Sequence, residues 1–459
     1  MKKNLLLSLG LLAVASGFSA KAEEVDTLKI YDGVVFYDGY RLTDNPDSLV
    51  NDGVKRHSCS LYSTKLSDEQ LDAIGQKLDM LVTIEALCDN YDRIGNVNLA
   101  MVPKGETTYE PEQTDRIEIG RFITPFMNKN KKPTSVPYLY DITYLSSLLR
   151  DADFRTKYDF WLEFEVFGIP YAANQQVAGC EGRDDVFAGT LEFITDAPAQ
   201  PTEGNILVPI VIKKPEYIGG NLNNYKEGAT DEIGKTQKSY TFTVPEDVAD
   251  SQLVLITSNH GANTGGEEYN RRWHFVYVDD ELVLSYRPGR ESCEPFRQYN
   301  TQANGIYGYF TMSDAKWQSF SNWCPGDVID NRIINLGQYT AGEHKVTITV
   351  PDAQFVDKQG DIPVSLYFQG LKEGSIKVSE VKSITLPETS VNIYLEGKQI
   401  YVKSEKKVVS VELYSVNGDL LQTQWNAKTP IDLSSYQPGI YVVCVETIDG
   451  VALAKKIIF

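Results

Sequence analysis

The chain has 459 residues, 23% of them charged, and a formal net charge of −19 at pH 7. A chain of this length exceeds what one hydrophobic core usually serves, so we expect two or more domains. The strong negative charge argues against nucleic acid and anionic membranes as partners, because both are themselves polyanions.

The first residues have the pattern of a secretory signal. Lys2-Lys3 precedes the apolar run Leu5–Ala15, and Ala20-Lys21-Ala22 resembles a cleavage site. Removing residues 1–22 takes away three lysines and moves the formal charge from −19 to −22. No later run reaches the roughly 20 apolar residues that a membrane span needs. We therefore expect an exported protein that is secreted, periplasmic or held at the cell surface.

Short apolar runs bounded by turn-forming residues predict an all-β chain of sandwiches or jelly rolls. Examples are Leu28–Tyr31, Trp161–Phe167, Ile206–Ile212, Leu253–Ile256, Phe275–Val278 and Lys345–Val350. One helix is predicted where Ser67 and Gln70 form a capping box and Leu71, Ile74 and Leu78 share one face.

Asp89–Arg93 crowds two acids, an aromatic residue and an arginine into five positions directly after the apolar run Met80–Leu87. A strand end of this kind can hold a carboxylate open to a cleft. The alternative is a plain turn in which the arginine pairs with a neighbouring acid.

Two breaks divide the rest of the chain. A polar, proline-containing linker covers Asp196–Gly204, and a second break falls near Pro387. We expect domains at 23–197, 205–384 and 388–459.

The last of these domains has alternating apolar residues around an Asn417-Gly418 turn, which predicts a small antiparallel module. Its strings Tyr414–Gly418 and Pro438–Tyr441, with the lysine-rich final strand, resemble the C-terminal sorting domain of the type IX secretion system of Bacteroidetes. A plain accessory β-domain is the alternative.

The cysteines and histidines fix little by themselves. An exported chain permits disulfides, but six cysteines allow 15 pairings. The six are Cys59, Cys88, Cys180, Cys293, Cys324 and Cys444. The four histidines are scattered without HxH or HExxH spacing, so a histidine-rich metal centre is disfavoured, and we expect no metal and no cofactor.

Four further strings follow Cys88–Arg93 in a distinctive order: Glu118–Phe126, Trp161–Phe167, Gly265–Arg272 and Ser321–Gly326. Together, over roughly residues 25 to 380, they resemble the bacterial peptide-N-glycosidase F family. That resemblance implies two tandem eight-stranded jelly rolls and hydrolysis of the amide that joins an N-glycan to asparagine.

The resemblance also implies roles for individual residues. The catalytic acids would be Asp92, Glu268 and Glu165. The substrate-binding residues would be Arg93, Asp89, Tyr91, Phe167, Tyr269 and Trp323, although Asp89 could serve only as a turn acid. Two ambiguities remain, because Glu163 alternates with Glu165, and Glu267 adjoins Glu268.

Some positions depart from the family pattern. Gly266 and Asn270 stand where the family has cysteines, and Phe320 stands where it has an arginine, whose contact another residue such as Lys316 could supply. Cys293 and Cys324 match a family disulfide. The near neighbour of Cys88 is missing, which leaves Cys59 as its expected partner.

Acids suit this chemistry because no Ser-His or Cys-His nucleophile pair is evident. If Asp92 faces Glu268, their like charges raise at least one pKa, so that one acid can hold a proton near neutrality. We expect Asp92 to be the primary acid/base and Glu268 to position water or polarise the amide. Glu165 and Arg93 would bind the inner sugars.

The resulting hypothesis is a monomeric, exported peptide-N-glycosidase that acts on N-linked glycoproteins and glycopeptides and converts asparagine to aspartate. One rival is a non-catalytic glycan-binding or adhesin protein on the same scaffold. A copper monooxygenase is a weaker rival, because two copper sites need more than four histidines.

Overall fold

The computed structural model describes residues 26–41, 53–170, 173–212, 221–224, 233–261, 267–302, 322–356, 360–373, 391–404, 406–415, 420–425, 430–447 and 452–459. The predicted signal at 1–22, the break at Pro387, the Asn417-Gly418 turn, and the departures at Gly266, Phe320 and Lys316 lie outside these residues.

Strands dominate the described residues, which confirms the all-β prediction. They are β1 (Asp26–Tyr37), β2 (Val54–Arg56), β3 (Leu61–Lys65), β4 (Leu78–Ala86), β5 (Ile94–Pro103), β6 (Arg116–Ile123), β7 (Ser135–Asp141), β8 (Tyr158–Val166), β9 (Asp185–Thr195), β10 (Asn205–Val211), β11 (Asn221–Asn224), β12 (Gln237–Val244), β13 (Asp250–Thr257), β14 (His274–Val278), β15 (Glu281–Tyr286), β16 (Val328–Ile329), β17 (Arg332–Asn335), β18 (Gly342–Thr349), β19 (Asp361–Leu371), β20 (Val391–Glu396), β21 (Gln399–Ser404), β22 (Val408–Ser415), β23 (Leu420–Trp425), β24 (Ile431–Asp432), β25 (Ile440–Thr447) and β26 (Ala452–Ile458).

Helices are short. They are α1 (Asp68–Asp72), α2 (Ser146–Leu149), α3 (Ala152–Lys157) and α4 (Ala173–Gln176), with 3-10 turns at Pro111–Gln113, Thr143–Leu145, Glu267–Tyr269 and Glu294–Tyr299. Within the described ranges, no helix is long and apolar enough to cross a membrane.

The predicted elements overlap the observed ones, with one difference. Each of the six predicted runs overlaps one of β1, β8, β10, β13, β14 and β18, and the runs in β8, β10 and β18 extend one residue beyond the strand. Ser67 caps α1 through a complete capping box with Gln70. The helix is shorter than predicted, because Leu78 already belongs to β4. Three residues beyond the end of α1, Gly75 packs closely against the segment after β9, since a Cβ there would lie 2.0 Å from the Asp196 carboxylate.

The first jelly roll packs two antiparallel sheets face to face. One has the strand order β1-β9-β4-β7 and the other β16-β6-β5-β8-β3-β2. Alternate residues of each strand enter the core between them, because successive side chains point to opposite faces. Met80, Phe122 and Phe164 are fully buried in this core.

The second jelly roll pairs the sheet β10-β19-β13-β17, to which β11 adds beside β19, with the sheet β12-β18-β14-β15. Residues 196–204 connect β9 to β10, so we propose to keep the boundary between 23–197 and 205–384 there. The second jelly roll also completes the first, because β16 pairs with β6 at Val328–Phe122 and Ile329–Arg121.

A buried ion pair lies where the two jelly rolls meet. The guanidinium of Arg121 donates to both Glu118 carboxylate oxygens at 2.8 and 2.7 Å, and it reaches Ser258 Oγ at 2.8 Å and the Pro363 carbonyl at 3.0 Å across the junction. Ser365 Oγ donates to Glu118 from the second jelly roll. The Glu118–Phe126 string therefore includes a polar contact that fixes one jelly roll against the other.

The C-terminal module consists of a three-stranded sheet, β20-β21-β24, and a four-stranded sheet, β23-β22-β25-β26. Its own core includes Ile393, Ile400, Leu413 and Val443. Its two small sheets follow the β-pattern that the sequence predicts for this region.

Candidate active site

The loop between β4 and β5 is organised around Asp89. This carboxylate is 1% exposed, and it accepts hydrogen bonds from the backbone N–H groups of Tyr91 and Ile169 at 2.9 and 2.7 Å. Arg93 Nε donates to it at 2.7 Å. Protein donors thus contact both oxygens and fix the turn, in line with the alternative role of Asp89 as a turn acid, and its role as a substrate-binding residue stays a prediction.

Arg93 is held on two sides. Its guanidinium pairs with Asp89 and lies 5.0 Å from the centre of the Tyr91 ring. Its backbone exchanges two hydrogen bonds of 2.8 Å with Thr124, at the end of the Glu118–Phe126 string. The two strings that carry the family resemblance thus meet here, and the half-buried Arg93 presents its charge beside Tyr91 and Asp92.

Asp92 lies between these held residues and is half-buried. Burial raises the pKa of its carboxyl well above the usual value, the negative charge of Glu268 raises it further, and Arg93 opposes the shift. An acid in this setting can retain a proton at a pH where an exposed aspartate would lose it.

The second acid stands on the 3-10 turn Glu267–Tyr269, which follows β13 across the junction. Glu268 is 8% exposed and accepts a 3.1 Å hydrogen bond from the Gly261 backbone N–H. Burial raises its pKa, and hydrogen bonds from Gly261 and Tyr269 partly offset the rise. The Tyr269 ring is 38% exposed. Its pKa is also raised, first by burial and then by the charges of Glu268 and Asp92.

Glu267 differs from its neighbour. It is fully buried, and Arg272 donates to its two oxygens at 3.0 and 3.2 Å. The Gln354 backbone N–H donates to it at 3.0 Å. Glu267 thus anchors the turn, which favours Glu268 as the acid that faces Asp92.

Asn322 is a residue that the sequence analysis missed. Its side-chain amide lies 2.8, 2.7 and 3.1 Å from the carbonyl oxygens of Glu267, Glu268 and Asn270. This clamp holds the turn at the place where the family pattern has a disulfide and this chain has Asn270. Its one sequence signal is that it directly precedes Trp323.

Glu165 ends a chain of buried polar groups on β8 and β5. Asn96 Nδ2 donates to Glu165 at 2.7 Å, Asn98 Nδ2 donates to Asn96 at 3.1 Å and to Glu163 at 2.9 Å, and Arg116 donates to Glu163 at 2.8 Å. Glu163 is fully buried, whereas Glu165 is 9% exposed.

The position of Glu165 in the sheet brings it towards the loop of Asp92. Asn96 pairs with Glu165 across β5 and β8, and Asp92 precedes β5 by two residues. Both acids therefore lie at the same end of one sheet. Glu163 is the ion-paired structural acid, so the sequence ambiguity favours Glu165 as the one that can meet a ligand.

The aromatic residues divide into an open pair and a buried ring. Phe167 is half-buried, and Tyr40, which the sequence analysis missed, packs edge-on against it at 5.3 Å with 75% of its surface exposed. Trp323 is only 4% exposed, and its Nε1 donates to the Asn259 carbonyl at 3.0 Å. Trp323 packs in an apolar cluster against which Tyr91 also packs, and its role as a substrate-binding residue stays a prediction.

Two disulfides cross-link the loops around the site. Cys293 pairs with Cys324, as the resemblance implies. Cys88 pairs with Cys180, so the expectation of a Cys59–Cys88 bond is wrong. The reason is topological: Cys88 lies two residues beyond the end of β4 and packs with Ala173 and Val177 at α4, whereas Cys59 is buried as a thiol in the β2–β3 hairpin.

The described residues contain no group of three or more histidine, cysteine or acidic side chains that could hold a metal ion.

Family models match most of the chain. The model described as Peptide-N-glycosidase F, N terminal, matches residues 29–182, and the one described as Peptide-N-glycosidase F, C terminal, matches residues 228–369. A secretion system C-terminal sorting domain matches residues 396–459 and indicates secretion. No curated protein sequence matches the chain.

Among solved structures, PNGF-II in space group P21 is 18% identical, with a TM-score of 0.54 over 76% of this chain and 66% of that chain. PNGF-II in space group C2 is 19% identical, with a TM-score of 0.52 over 76% and 65%. PNGase F, a glycosylasparaginase from Flavobacterium meningosepticum, is 18% identical, with a TM-score of 0.49 over 78% and 98%. The chain thus spans just under two thirds of PNGF-II, and that similarity supports the fold.

Proposed function

The chain belongs to the peptide-N-glycosidase F family, and on that premise we propose that it is a secreted amidase that cleaves the bond between asparagine and the first GlcNAc of an N-glycan. Water adds to the amide carbonyl and the C–N bond breaks, so asparagine becomes aspartate and the glycan leaves as its glycosylamine. The observation that carries the proposal is that the half-buried Asp92 and the buried Glu268 both have raised pKa values, and that the charge of Glu268 contributes to the rise at Asp92.

Asp92 acts as the primary acid/base. An amide is a poor electrophile, and its nitrogen leaves only when it receives a proton. The raised pKa of Asp92 favours the protonated carboxyl at a pH where an exposed aspartate would be ionised. Glu268, held by the Gly261 N–H, positions the attacking water or polarises the amide.

The other residues bind sugar. Glu165, presented by Asn96, and Arg93, fixed by Asp89, hydrogen-bond the hydroxyl and acetamido groups of the inner GlcNAc residues. Tyr91, Phe167 and Tyr269 provide rings for the apolar faces of the pyranoses. The substrates are N-linked glycoproteins and glycopeptides, and the enzyme works as a monomer without a cofactor.

A defined glycopeptide tests the proposal. Mass spectrometry should find the released glycan and an asparagine converted to aspartate, and the Asp92→Asn chain should lose this activity by roughly 10³-fold while remaining folded. A single GlcNAc retained on intact asparagine would indicate an endoglycosidase instead. Binding without release would indicate a glycan-binding protein.

A further inference from the structure

The four-stranded sheet of the C-terminal module turns one face away from the module's own core. Leu413 and Val443 point into that core, and since side chains alternate along a strand, Tyr414, Val442 and Cys444 point outwards. All three are nevertheless buried, with 0%, 2% and 1% of their surfaces exposed. Another part of the chain therefore covers this face.

The cover is the outer face of β14 in the second jelly roll. Val276 and Val278 point into the jelly-roll core, whereas Phe275 and Tyr277, together with Trp273 just before the strand, form one buried cluster with the outward residues of the module. The rings of Phe275 and Tyr414 lie 5.1 Å apart. A contiguous group of aromatic residues on the outer face of a sandwich indicates an interaction surface rather than a face made for solvent.

From this contact, a short series of interactions leads to the turn of Glu268. Tyr414 Oη lies 3.0 Å from Asp352 Oδ2. Two residues further on, the Gln354 N–H donates to Glu267 at 3.0 Å, where Arg272 also binds. Residues 352–354 thus contact the module on one side and the anchor of the turn on the other.

We propose that the outer face of β14 is an interface built for the C-terminal module, and that the docked module braces the turn Glu267–Tyr269. The module then does more than direct export, because its contact at Tyr414 sets how firmly Glu268 is held. The link to catalysis rests on the proposed function, whereas the brace itself does not.

Two measurements on the full chain test the brace without any activity assay. Cys444 lies in the interface and Cys59 in the first jelly roll, and both thiols are buried. A maleimide should leave both unlabelled in the parent chain. In Tyr414→Ala it should label Cys444 but not Cys59, and amide exchange in peptides covering 267–272 and 350–356 should accelerate on the order of tenfold.

Tyr394→Ala is the matched control, because Tyr394 stacks on Tyr401 within the module and lies outside the interface cluster. It should leave Cys444 labelling and exchange in 267–272 unchanged. If Tyr414→Ala exposes Cys444 while exchange in 267–272 stays at the parent rate, the module docks but does not brace, and the proposal is overturned. Unchanged labelling and exchange would overturn it as well.

A milder variant covers the case in which Tyr414→Ala does not fold. Tyr414→Phe keeps the ring and removes only the hydroxyl near Asp352, so exchange in 350–356 should rise by roughly threefold, and no change there would contradict the brace. Glycan release by Tyr414→Ala should fall several-fold. If the parent chain releases no glycan, the proposed function fails, and labelling and exchange still decide the brace.

Discussion

The junction between the jelly rolls and the loop of Asp92 both bury acids, but with opposite electrostatic results. At the junction, Glu118 is 1% exposed and receives the fully buried guanidinium of Arg121 through two hydrogen bonds. In the site, Asp92 has the like charge of Glu268 nearby, and Arg93 is engaged by Asp89. The charge of the neighbouring group, more than burial itself, therefore distinguishes an acid that stabilises the fold from an acid that can take part in the reaction.

The same contrast recurs between neighbours in sequence. Glu163 pairs with Arg116, whereas Glu165, two residues further on, accepts a hydrogen bond from an uncharged side chain. Glu267 pairs with Arg272, whereas the next residue, Glu268, accepts a hydrogen bond from a backbone N–H. In each pair, one acid is fixed by an arginine, and the other is held by an uncharged donor and can contact a ligand. Four substitutions or conditions can break or sharpen this distinction.

The largest effect should come from breaking the junction pair. Arg121→Met leaves the Glu118 carboxylate buried without its cation, and this should lower the free energy of unfolding by about 3–5 kcal/mol. Urea denaturation followed by circular dichroism measures the change. Arg297→Met is the control, since that arginine pairs with Glu294 at the surface and should contribute about 0–1 kcal/mol. Equal shifts for the two variants would remove the basis of the comparison.

The second-largest effect should come from substitutions of Glu267 and Glu268, the adjacent acids of the 3-10 turn. Glu268→Gln should lower kcat by roughly 10²-fold, since it removes a charge beside Asp92, and it should leave the urea midpoint unchanged or higher. Glu267→Gln should do the reverse: it weakens the Arg272 contact and should lower stability by about 1–3 kcal/mol, with less than a tenfold effect on kcat. Steady-state kinetics and denaturation of both variants decide the matter, and an exchange of the two outcomes would assign the catalytic role to Glu267.

Glu267 and Glu268 also show how much of the site can be predicted from the sequence. The string around Asp92 and the Gly265–Arg272 string are enough to predict Asp92 and Glu268 as catalytic acids, because the sequence gives the type of each side chain and the order of the strings along the chain. Sequence alone does not say that Arg272 turns back onto Glu267, since that depends on the 3-10 turn. Cys88 likewise finds Cys180 from 92 residues away, a separation that only the path of the strands brings together.

A smaller effect is expected at Asn96, which presents Glu165. Asn96→Leu keeps the volume but removes the donor at 2.7 Å, so Glu165 should hold the sugar less well and KM should rise roughly tenfold, as expected for one hydrogen bond to a charged group, with kcat less affected. Asn130→Leu, which removes a contact with the Ala178 carbonyl, is the control. A fall in kcat at constant KM would place Glu165 in the chemical step instead.

The polar face of β5 and β8 was partly foreseeable. Asn96 and Asn98 are two residues apart on one strand, as Glu163 and Glu165 are on the other. Because successive side chains of a strand point to opposite faces, the two members of each pair lie on the same face of the sheet. The sequence lacked the register, which sets Asn96 opposite Glu165. The burial of Trp323 was not foreseeable for a similar reason, because its cover comes from both jelly rolls.

The subtlest test is the dependence of stability on pH. The folded-state pKa of Asp92 is raised by burial and then by Glu268, so the folded protein holds this proton more tightly than the unfolded chain. Its contribution to stability is fully present below the usual aspartate pKa of about 3.9 and is lost as the pH rises through the raised folded value. Asp92→Asn removes this loss, because it leaves no charge to bury.

The melting temperature of Asp92→Asn relative to the parent should therefore increase as the pH rises above about 4, the usual range of an aspartate. The corresponding difference in the free energy of unfolding grows by at most about 1.4 kcal/mol per pH unit for one proton. Other buried groups, such as His57 with its pKa lowered to about 4 by burial and by Arg116, titrate in both chains and largely cancel in the difference. If the difference between the two melting temperatures did not change with pH, Asp92 would behave as a buried acid whose charge is already compensated, and the separation of a structural pair from a chemical one would not hold.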